Sequence, residues 1–297
     1  MLYLIISILF LVTVVVLFRA AAESGAEPLG LNTVFRYTGG SLALAGFLLT
    51  NDIGELPRLW DEAGWLGITA GIFFWAAGFT AINAIRLGHL GITMTINRCS
   101  MVLPTLASIL YWKEFPISPV NGLVVLRFTG LAVAVSAIVF MGLDRIRRGE
   151  VDASGKPSVK WGLWLAASFF AHGSWETCLR ASRSLPDDSA RQFFMIVVFV
   201  TAMLFSLPIQ FAFRPTLRKK ECFYGVLAGA ASFIGSGIRP WAVRDIDGII
   251  VFPTTNIGVM LLVQLSGAIF WGHKMGRWGV IGLAAAVAGV LCMTLNF

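Results

Sequence analysis

Ten apolar segments, each about twenty residues long and nearly free of charge, recur along this chain of 297 residues. About 20 consecutive apolar residues are what an α-helix needs to cross the hydrocarbon core of a bilayer. The segments are 2–18, 29–49, 65–85, 90–112, 120–143, 161–179, 193–213, 222–243, 249–271 and 278–296. The longest connection, 144–160, is too short for a further domain. The sequence therefore predicts an all-α integral membrane protein with ten transmembrane helices.

The composition excludes a water-soluble globular fold. Only 13% of the residues are charged and the mean hydropathy is +0.79, whereas about a quarter of the residues in soluble domains are charged. The net charge of +7 does not indicate nucleic acid, because the basic residues lie in short connections beside apolar segments, where lipid headgroups are the expected partners. The first segment lacks a positive leading region and is long for a cleaved signal, so we expect a retained helix.

The two halves of the chain resemble each other. At a constant offset of 159 residues, the fourth segment recurs in the ninth: Thr95 pairs with Thr254, Asn97 with Asn256, and Trp112 with Trp271. The run GLAVAV at 130–135 recurs as GLAAAV at 282–287. We predict two repeats, residues 1–143 and 161–297, joined by the loop 144–160.

Each repeat contains five segments, and an odd number means that the second copy enters the membrane from the opposite side. Such inverted repeats occur in secondary transporters, which bind substrate near the midplane and expose it to each side in turn. The sequence therefore predicts gradient-driven transport by alternating access. It contains no G-x-x-x-x-G-K-[ST] loop, so ATP is not the expected driver, and no cofactor is expected.

The chain resembles the drug/metabolite transporter superfamily, EamA-like branch, over essentially its whole length. The resemblance rests on the five-plus-five arrangement, on PTLASILYWKE at 104–114, and on HGSWETCLR at 172–180. It implies import or export of a small organic metabolite. An acidic residue commonly follows helices four and nine in that family; Glu114 fits, whereas His273 at the second position is a departure.

Basic residues are unequally divided between the two predicted membrane faces. The face bearing both termini has six: Arg58, Lys113, Arg180, Arg183, Arg191 and Arg244. The other has thirteen: Arg19, Arg86, Arg145, Arg147, Arg148, Lys156, Lys160, Arg214, Arg218, Lys219, Lys220, Lys274 and Arg277. The positive-inside rule places loop 144–160 in the cytoplasm of an inner or plasma membrane protein. The resemblance implies cytoplasmic termini instead, and we follow the charge count because it is a property of this chain.

Five charged residues remain inside the segments: Arg36, Arg98, Arg127, Glu176 and Arg239. A charge in the membrane costs roughly 3 kcal/mol even on lenient scales, so each is a functional candidate. Arg127 and Arg239 lie within two turns of a helix end and can snorkel. Glu176 either pairs with Arg180, four residues later, or couples transport to a proton or ion together with His172, one turn earlier.

The depth of each charged residue in the membrane, taken as its distance from the start of its segment at about 1.5 Å per residue, makes Arg98 the leading substrate residue. It lies about 12 Å into its segment and Arg36 about 10 Å into its own from the same side, within a core about 30 Å thick. A guanidinium group matches a carboxylate or phosphate. We predict a pocket for an organic anion or zwitterion, in which Arg98, with Arg36, holds the anionic group.

Neighbouring residues complete the predicted pocket. Asn97 and Asn256 orient the substrate, Thr254 adds a hydroxyl, and Trp175 packs against its apolar part. Pro104 and Pro253 interrupt the two asparagine-bearing segments and free carbonyl oxygens.

Structural alternatives remain open at these positions. The asparagines can hydrogen-bond between helices. Arg98 can be neutralised by carbonyls at Pro104, or by a carboxylate whose true depth differs from the one estimated here from its position in the segment. The same arithmetic puts Glu176 roughly 10 Å from the level of Arg98, which makes it a poor direct partner. A metal site at His172 would need further ligands, so none is expected.

Many glycines lie inside the segments, among them Gly40, Gly71, Gly229, Gly237 and Gly289. Small residues let helix backbones approach closely where lipid provides no hydrophobic driving force. We predict that these glycines mark helix contacts.

Two other function classes compete with transport. An intramembrane enzyme would need a catalytic set; no H-E-x-x-H motif is present, and Ser236 between Gly235 and Gly237 has no histidine at its depth. A non-transporting membrane subunit or receptor is the other class, and it differs in that the purified chain would move no solute.

Overall fold

The computed structural model describes residues 1–50, 53–87, 90–114, 122–147, 159–213, 217–272 and 276–294. The regular structure in these ranges is helical. The α-helices are α1 (Leu2–Glu23), α2 (Pro28–Thr50), α3 (Leu56–Leu59), α4 (Trp65–Leu87), α5 (Leu90–Cys99), α6 (Val102–Leu110), α7 (Gly122–Arg147), α8 (Val159–Ala181), α9 (Asp188–Phe213), α10 (Lys219–Gly237), α11 (Arg239–Asp245), α12 (Gly248–Trp271) and α13 (Arg277–Thr294). A π-helical turn, Trp60–Gly64, joins α3 to α4, and 3-10 turns occupy Ile53–Glu55 and Ser182–Ser184.

Five helical stretches in the described ranges are long and apolar enough to cross a membrane. They are Leu2–Glu23, Leu56–Ile85, Asp188–Phe213, Lys219–Asp245 and Gly248–Phe270. Large apolar side chains such as Leu9, Phe205 and Ile269 lie exposed on their outer faces. The prediction of an all-α, multi-pass membrane protein is confirmed at this level. The predicted segments fall largely on helical residues, while the count of ten spans and the inverted repeat stay predictions.

The chain divides into two compact units. Unit 1 is Met1–Gly78 with Cys178–Asp245, and unit 2 is Phe79–Thr177 with Ile246–Phe297. Each unit therefore takes helices from both halves of the sequence. The two predicted repeats, which meet at the loop 144–160, would be related by symmetry and need not be separate compact units. That division stays a prediction.

In unit 1, α10 packs along α2 at two glycines one turn apart. A Cβ atom at Gly229 would lie 2.7 Å from the Phe35 carbonyl oxygen, and one at Gly225 would lie 2.6 Å from the Val34 Cβ atom. Both distances are shorter than any normal contact, so the backbones meet only because these residues are glycine.

Helix α4 packs against α9, also in unit 1, through two glycines in the same way. A Cβ at Gly67 would lie 2.7 Å from the Val197 Cβ, and one at Gly71 would lie 2.8 Å from the Val198 carbonyl oxygen. Helix α1 belongs to the same unit, where Ser7 Oγ donates to the Gly235 carbonyl oxygen at 2.7 Å.

In unit 2, α7 packs against α13 at a glycine. A Cβ at Gly289 would lie 2.9 Å from both the Gly130 carbonyl oxygen and the Ala134 amide nitrogen. The prediction of glycine-mediated contacts is confirmed at Gly71, Gly229 and Gly289. At Gly237 it is wrong, because no atom from another described part of the chain lies within 4 Å of a Cβ placed there.

The fourth predicted segment is broken, as its proline predicts. Helix α5 ends at Cys99 and α6 begins at Val102, and shorter bonds span the break: the Met101 N–H donates to the Arg98 carbonyl at 3.3 Å and the Leu103 N–H to the Ser100 carbonyl at 3.0 Å. Pro104 has no N–H for the Ser100 carbonyl. The interruption expected at Pro253 is wrong, since α12 continues through it. One missing bond is tolerated where the flanking turns hold.

Candidate functional site

Three helices of unit 2 bring charges of opposite sign to one side-chain amide. The Oδ1 atom of Asn256, on α12, accepts a hydrogen bond from Arg98 Nη1, on α5, at 3.1 Å. The Nδ2 atom of Asn256 donates to both carboxylate oxygens of Glu176, on α8, at 3.3 and 3.2 Å. We call these three residues the amide-bridge cluster.

The chemistry of the cluster requires an amide at position 256. An amide offers an acceptor at one end and two donors at the other, so the arginine and the carboxylate fix its orientation. Nδ2 also donates to the Phe252 carbonyl oxygen, one turn earlier on α12, at 3.0 Å. Asn256 is 0% exposed and Glu176 2%. Ionic strength therefore screens these charges little.

Arg98 and Glu176 both bond to Asn256, and the oxygen and nitrogen of an amide are only ~2.3 Å apart. Asn256 therefore links a cation to a carboxylate. The depth difference expected between Arg98 and Glu176, and the alternative in which a carboxylate neutralises Arg98 directly, stay predictions.

His172 lies one turn before Glu176 on the same face of α8. Its Nε2 atom is 4.0 Å from Glu176 Oε1, which is longer than a hydrogen bond but close enough for the two charges to interact. The structure thus brings together the two residues that the sequence marked for coupling.

Asn97 lies in unit 2 and also bonds to α8. Its Oδ1 atom accepts from Ser168 Oγ at 2.7 Å, and its carbonyl oxygen accepts from Ser100 Oγ at 2.5 Å. Ser168 was not among the site residues predicted from the sequence. The signal was its spacing, since Ser168, His172 and Glu176 are four residues apart and line one face of α8.

Trp175 and Thr254 also belong to unit 2. Trp175 precedes Glu176 on α8 and is 2% exposed. Thr254 lies on α12, and its Oγ1 atom has no hydrogen-bond partner within the described ranges. Their roles as substrate contacts stay predictions.

Arg36 lies in unit 1, apart from the amide-bridge cluster in the division of the chain. It is 5% exposed, and its Nη2 atom donates to the Phe74 carbonyl oxygen at 2.9 Å. The shared grip of Arg36 and Arg98 on one anionic group stays a prediction.

The remaining charged candidates are structural or outside the described residues. Arg239 begins α11 and is 4% exposed; protein buries it, so the expectation that it snorkels is wrong. Glu114 Oε2 accepts from the Gly248 N–H at 2.8 Å and so caps α12. The side chain of Arg127, the residue His273 and most of the loop 144–160 lie outside the described residues.

One end of unit 1 carries an ion-pair network that the sequence did not predict. Arg58 pairs with Glu55, Glu62 and Asp187 at 3.1, 3.2 and 2.7 Å. Arg244 pairs with Asp188 and Asp245 at 3.0 and 2.7 Å. The Ala190 N–H and the Arg58 guanidinium, both bonded to Asp187, hold the pKa of that carboxyl below its ordinary value. Arg191 also pairs with Asp188, at 2.9 Å.

Comparison with known proteins bears on the fold alone. No protein-family model matches the chain, and no curated protein does. A protein crystal structure superposes with a TM-score of 0.74, over 99% of this chain and 95% of the other, at 18% sequence identity. The fold is therefore one that also occurs in an experimentally solved structure.

Proposed function

We propose that the protein is a secondary transporter that carries a small organic metabolite, anionic or zwitterionic, by alternating access between two inverted repeats. The multi-pass helical architecture supports this proposal, as does the resemblance to EamA-like drug/metabolite transporters. The observation that carries it is the amide-bridge cluster, in which Arg98, Asn256 and Glu176 join three helices of unit 2.

Such a cluster is expensive to retain for packing alone. Buried ion pairs contribute little net stability compared with apolar side chains of the same volume, and charged residues within membrane helices mark ion and substrate pathways. A cluster with one cation, one carboxylate and a neighbouring histidine therefore fits a coupling site better than a packing contact.

Within this proposal, Glu176 carries the coupling proton. When Glu176 is ionised, its negative charge balances Arg98 through Asn256. When it binds a proton, it no longer offers two equivalent acceptors to Asn256, and the cluster keeps the positive charge of Arg98. That charge attracts an anionic substrate, which couples proton binding to substrate binding. His172, 4.0 Å away, is the adjacent group that exchanges the proton.

Reconstitution in liposomes tests the function. A panel of organic anions and zwitterions is first screened by thermal shift, because a ligand that binds the native state raises its stability. Uptake of the compounds that bind is then measured with and without a pH gradient. We expect gradient-dependent uptake by the wild type, and gradient-independent or absent uptake by Glu176→Gln, which keeps the shape but takes up no proton.

Control variants separate coupling from general damage. Glu23→Gln alters an exposed carboxylate that pairs with Arg19 and should leave coupling intact. Arg98→Lys keeps the charge and Arg98→Gln removes it, so unchanged substrate affinity in Arg98→Gln would show that Arg98 does not bind the substrate. If no solute moves in wild-type liposomes, the chain is a non-transporting subunit or receptor. Labelling of Ser236 by a serine-hydrolase probe would favour an enzyme instead.

A further inference from the structure

The surroundings of Arg36 in unit 1 are built to hold a guanidinium group in the protein interior. Its central carbon lies 4.0 Å from the centre of the Phe74 ring and 5.1 Å from that of Phe35. These are cation–π distances. Only 5% of the residue is exposed, so the aromatic rings replace water on the faces of the group.

Gly78 makes this placement possible. In α4 the Phe74 carbonyl is the acceptor for the backbone N–H of residue 78, and Arg36 Nη2 donates to the same carbonyl at 2.9 Å. A Cβ atom at residue 78 would collide with Nη2. A glycine therefore stands where a side chain would block the arginine from the backbone of α4.

The rest of the guanidinium has no hydrogen-bond partner among the described residues. Arg36 Nε and Nη1 are buried and make no hydrogen bond within the described part of the chain. These two atoms carry three of the five N–H donors of arginine. Burying charged donors without acceptors is among the costliest arrangements in a protein, and it persists where an acceptor arrives from outside the chain.

We propose that Nε and Nη1 of Arg36 bind the oxyanion of an organic ligand, a carboxylate or phosphate, whose apolar part packs near Phe35 and Phe74. This inference rests on the proposed function, because the ligand is the transported anion. The sequence predicted that Arg98, with Arg36, holds the anionic group. In this proposal Arg36 in unit 1 contacts the anion, and Arg98 in unit 2, already bonded to Asn256, serves coupling together with Glu176.

A binding experiment on the full-length purified protein tests the site without transport. Thermal unfolding is followed in a neutral detergent with benzoate, with its uncharged analogue benzamide, and with inorganic phosphate. We expect benzoate to raise the Tm of the wild type, and benzamide to have no effect because it carries no charge. In Arg36→Gln the apparent dissociation constant for benzoate should rise about tenfold or more, since a charge-assisted bond is lost. Arg19→Gln, which removes an arginine that pairs with Glu23 on the same helix, should keep the benzoate effect, and Arg98→Gln is measured alongside.

Two further measurements keep the test independent of folding defects. Without added anion, Arg36→Gln should unfold at the wild-type Tm or above it, because the relief of a buried, partly unpaired charge offsets the loss of one hydrogen bond and of the cation–π contacts; a purely structural arginine would leave the variant less stable. Gly78→Ala keeps the charge but obstructs Nη2, and it should weaken benzoate binding as well.

Distinct results would overturn the proposal. Equal benzoate binding by wild type and Arg36→Gln would exclude Arg36, and loss in Arg98→Gln alone would assign the anion to Arg98. An effect of phosphate without one of benzoate would indicate an inorganic ion. If phosphatidylglycerol added to the micelles abolishes the benzoate effect, the site holds a lipid headgroup. If the liposomes show no transport while benzoate still binds, the transport function is rejected and the anion site at Arg36 is still supported.

Discussion

Asn256 donates from one amide nitrogen to both carboxylate oxygens of Glu176, at 3.3 and 3.2 Å, and neither side chain is accessible to solvent. The opposite end of the same amide accepts from Arg98. Aspartate at this position could accept from Arg98 but would set a second carboxylate against Glu176, and leucine could do neither. The contact therefore depends on an amide, which accepts a hydrogen bond from the guanidinium and donates one to the carboxylate.

We predict that Asn256→Ala destabilises the protein by about 1–3 kcal/mol, because it leaves a buried carboxylate and a partly buried guanidinium with one partner fewer each. The free energy of unfolding is measured in mixed detergent micelles. Adding Glu176→Gln should cost less in the Asn256→Ala background than in the wild type, with a coupling energy of about 0.5–3 kcal/mol.

Asn83 provides the matched control for this cycle. Its Nδ2 atom donates at 2.9 Å to the Phe79 carbonyl, one turn earlier on its own helix. Asn83→Ala should cost less than about 1 kcal/mol, and its effect should add to that of Glu176→Gln. Additive effects of Asn256→Ala and Glu176→Gln would contradict the amide bridge.

The glycine contact of α10 with α2 gives a second prediction. Gly229→Ala would place a Cβ 2.7 Å from the Phe35 carbonyl oxygen, so the helices must separate, and we expect a loss of about 1–3 kcal/mol of stability. Gly237→Ala, at the end of the same helix, meets no atom within 4 Å and should be neutral or stabilising by up to about 1 kcal/mol. Equal effects of the two substitutions on Tm would contradict the packing.

The contrast between these two sites shows what the sequence could predict. Glycines four residues apart, such as Gly225 and Gly229, are visible as a pattern, but the packing rule for small residues holds only where a second helix lies close, and Gly237 shows that the sequence does not say where that is. The broken fourth segment was predictable because Pro104 acts on its own turn, although Pro253 shows that the flanking turns decide whether a helix ends there.

Such local rules could not predict the amide bridge or the ion-pair network. Counting residues along separate helices gives a depth for each charge, but it could not show that Asn256 bonds to both Glu176 and Arg98. The pair formed by Arg58 and Asp187 joins residues 129 positions apart, and no periodicity links them. Sequence pattern identified which side chains are costly in a membrane, but partners depend on which helices meet.

A third prediction concerns Asp187, which precedes α9 and caps it. Asp187 Oδ1 accepts from the Ala190 N–H at 2.7 Å while Oδ2 accepts from Arg58 at 2.7 Å. Asp187→Ala removes both bonds and should cost about 1 kcal/mol at neutral pH. Asp187→Asn keeps a capping oxygen and loses the charge, so its cost should be smaller.

The pH dependence of this difference follows from the lowered pKa of Asp187. A carboxyl whose pKa is lower in the folded state stabilises the protein above its unfolded pKa, about 3.9, and loses that contribution as the pH falls through the folded value. The Tm gap between wild type and Asp187→Asn should therefore be constant near neutral pH and shrink below about pH 4. A gap that persists unchanged in acid would show that the Asp187 charge contributes nothing.

The fourth prediction is the orientation of the chain. The predicted face with six basic residues includes Arg58, Arg191 and Arg244, and the structure pairs all three with carboxylates. The opposite face carries thirteen basic residues by sequence. Lysine and arginine near membrane segments determine which loops stay in the cytoplasm, so the face with thirteen basic residues is predicted to be cytoplasmic.

Cysteine labelling in whole cells measures that orientation. In a background without the four native cysteines, Ser154→Cys in the loop 144–160 should resist a membrane-impermeant thiol reagent, because the loop is cytoplasmic. Asp61→Cys, at an exposed position beside the Arg58 network, should react promptly. Permeabilised cells should label at both positions, which shows that protection comes from the membrane and not from burial. The reverse pattern, with Ser154→Cys labelled in intact cells and Asp61→Cys protected, would place the termini in the cytoplasm, as the family resemblance implies, and would show that the charge count misleads for this chain.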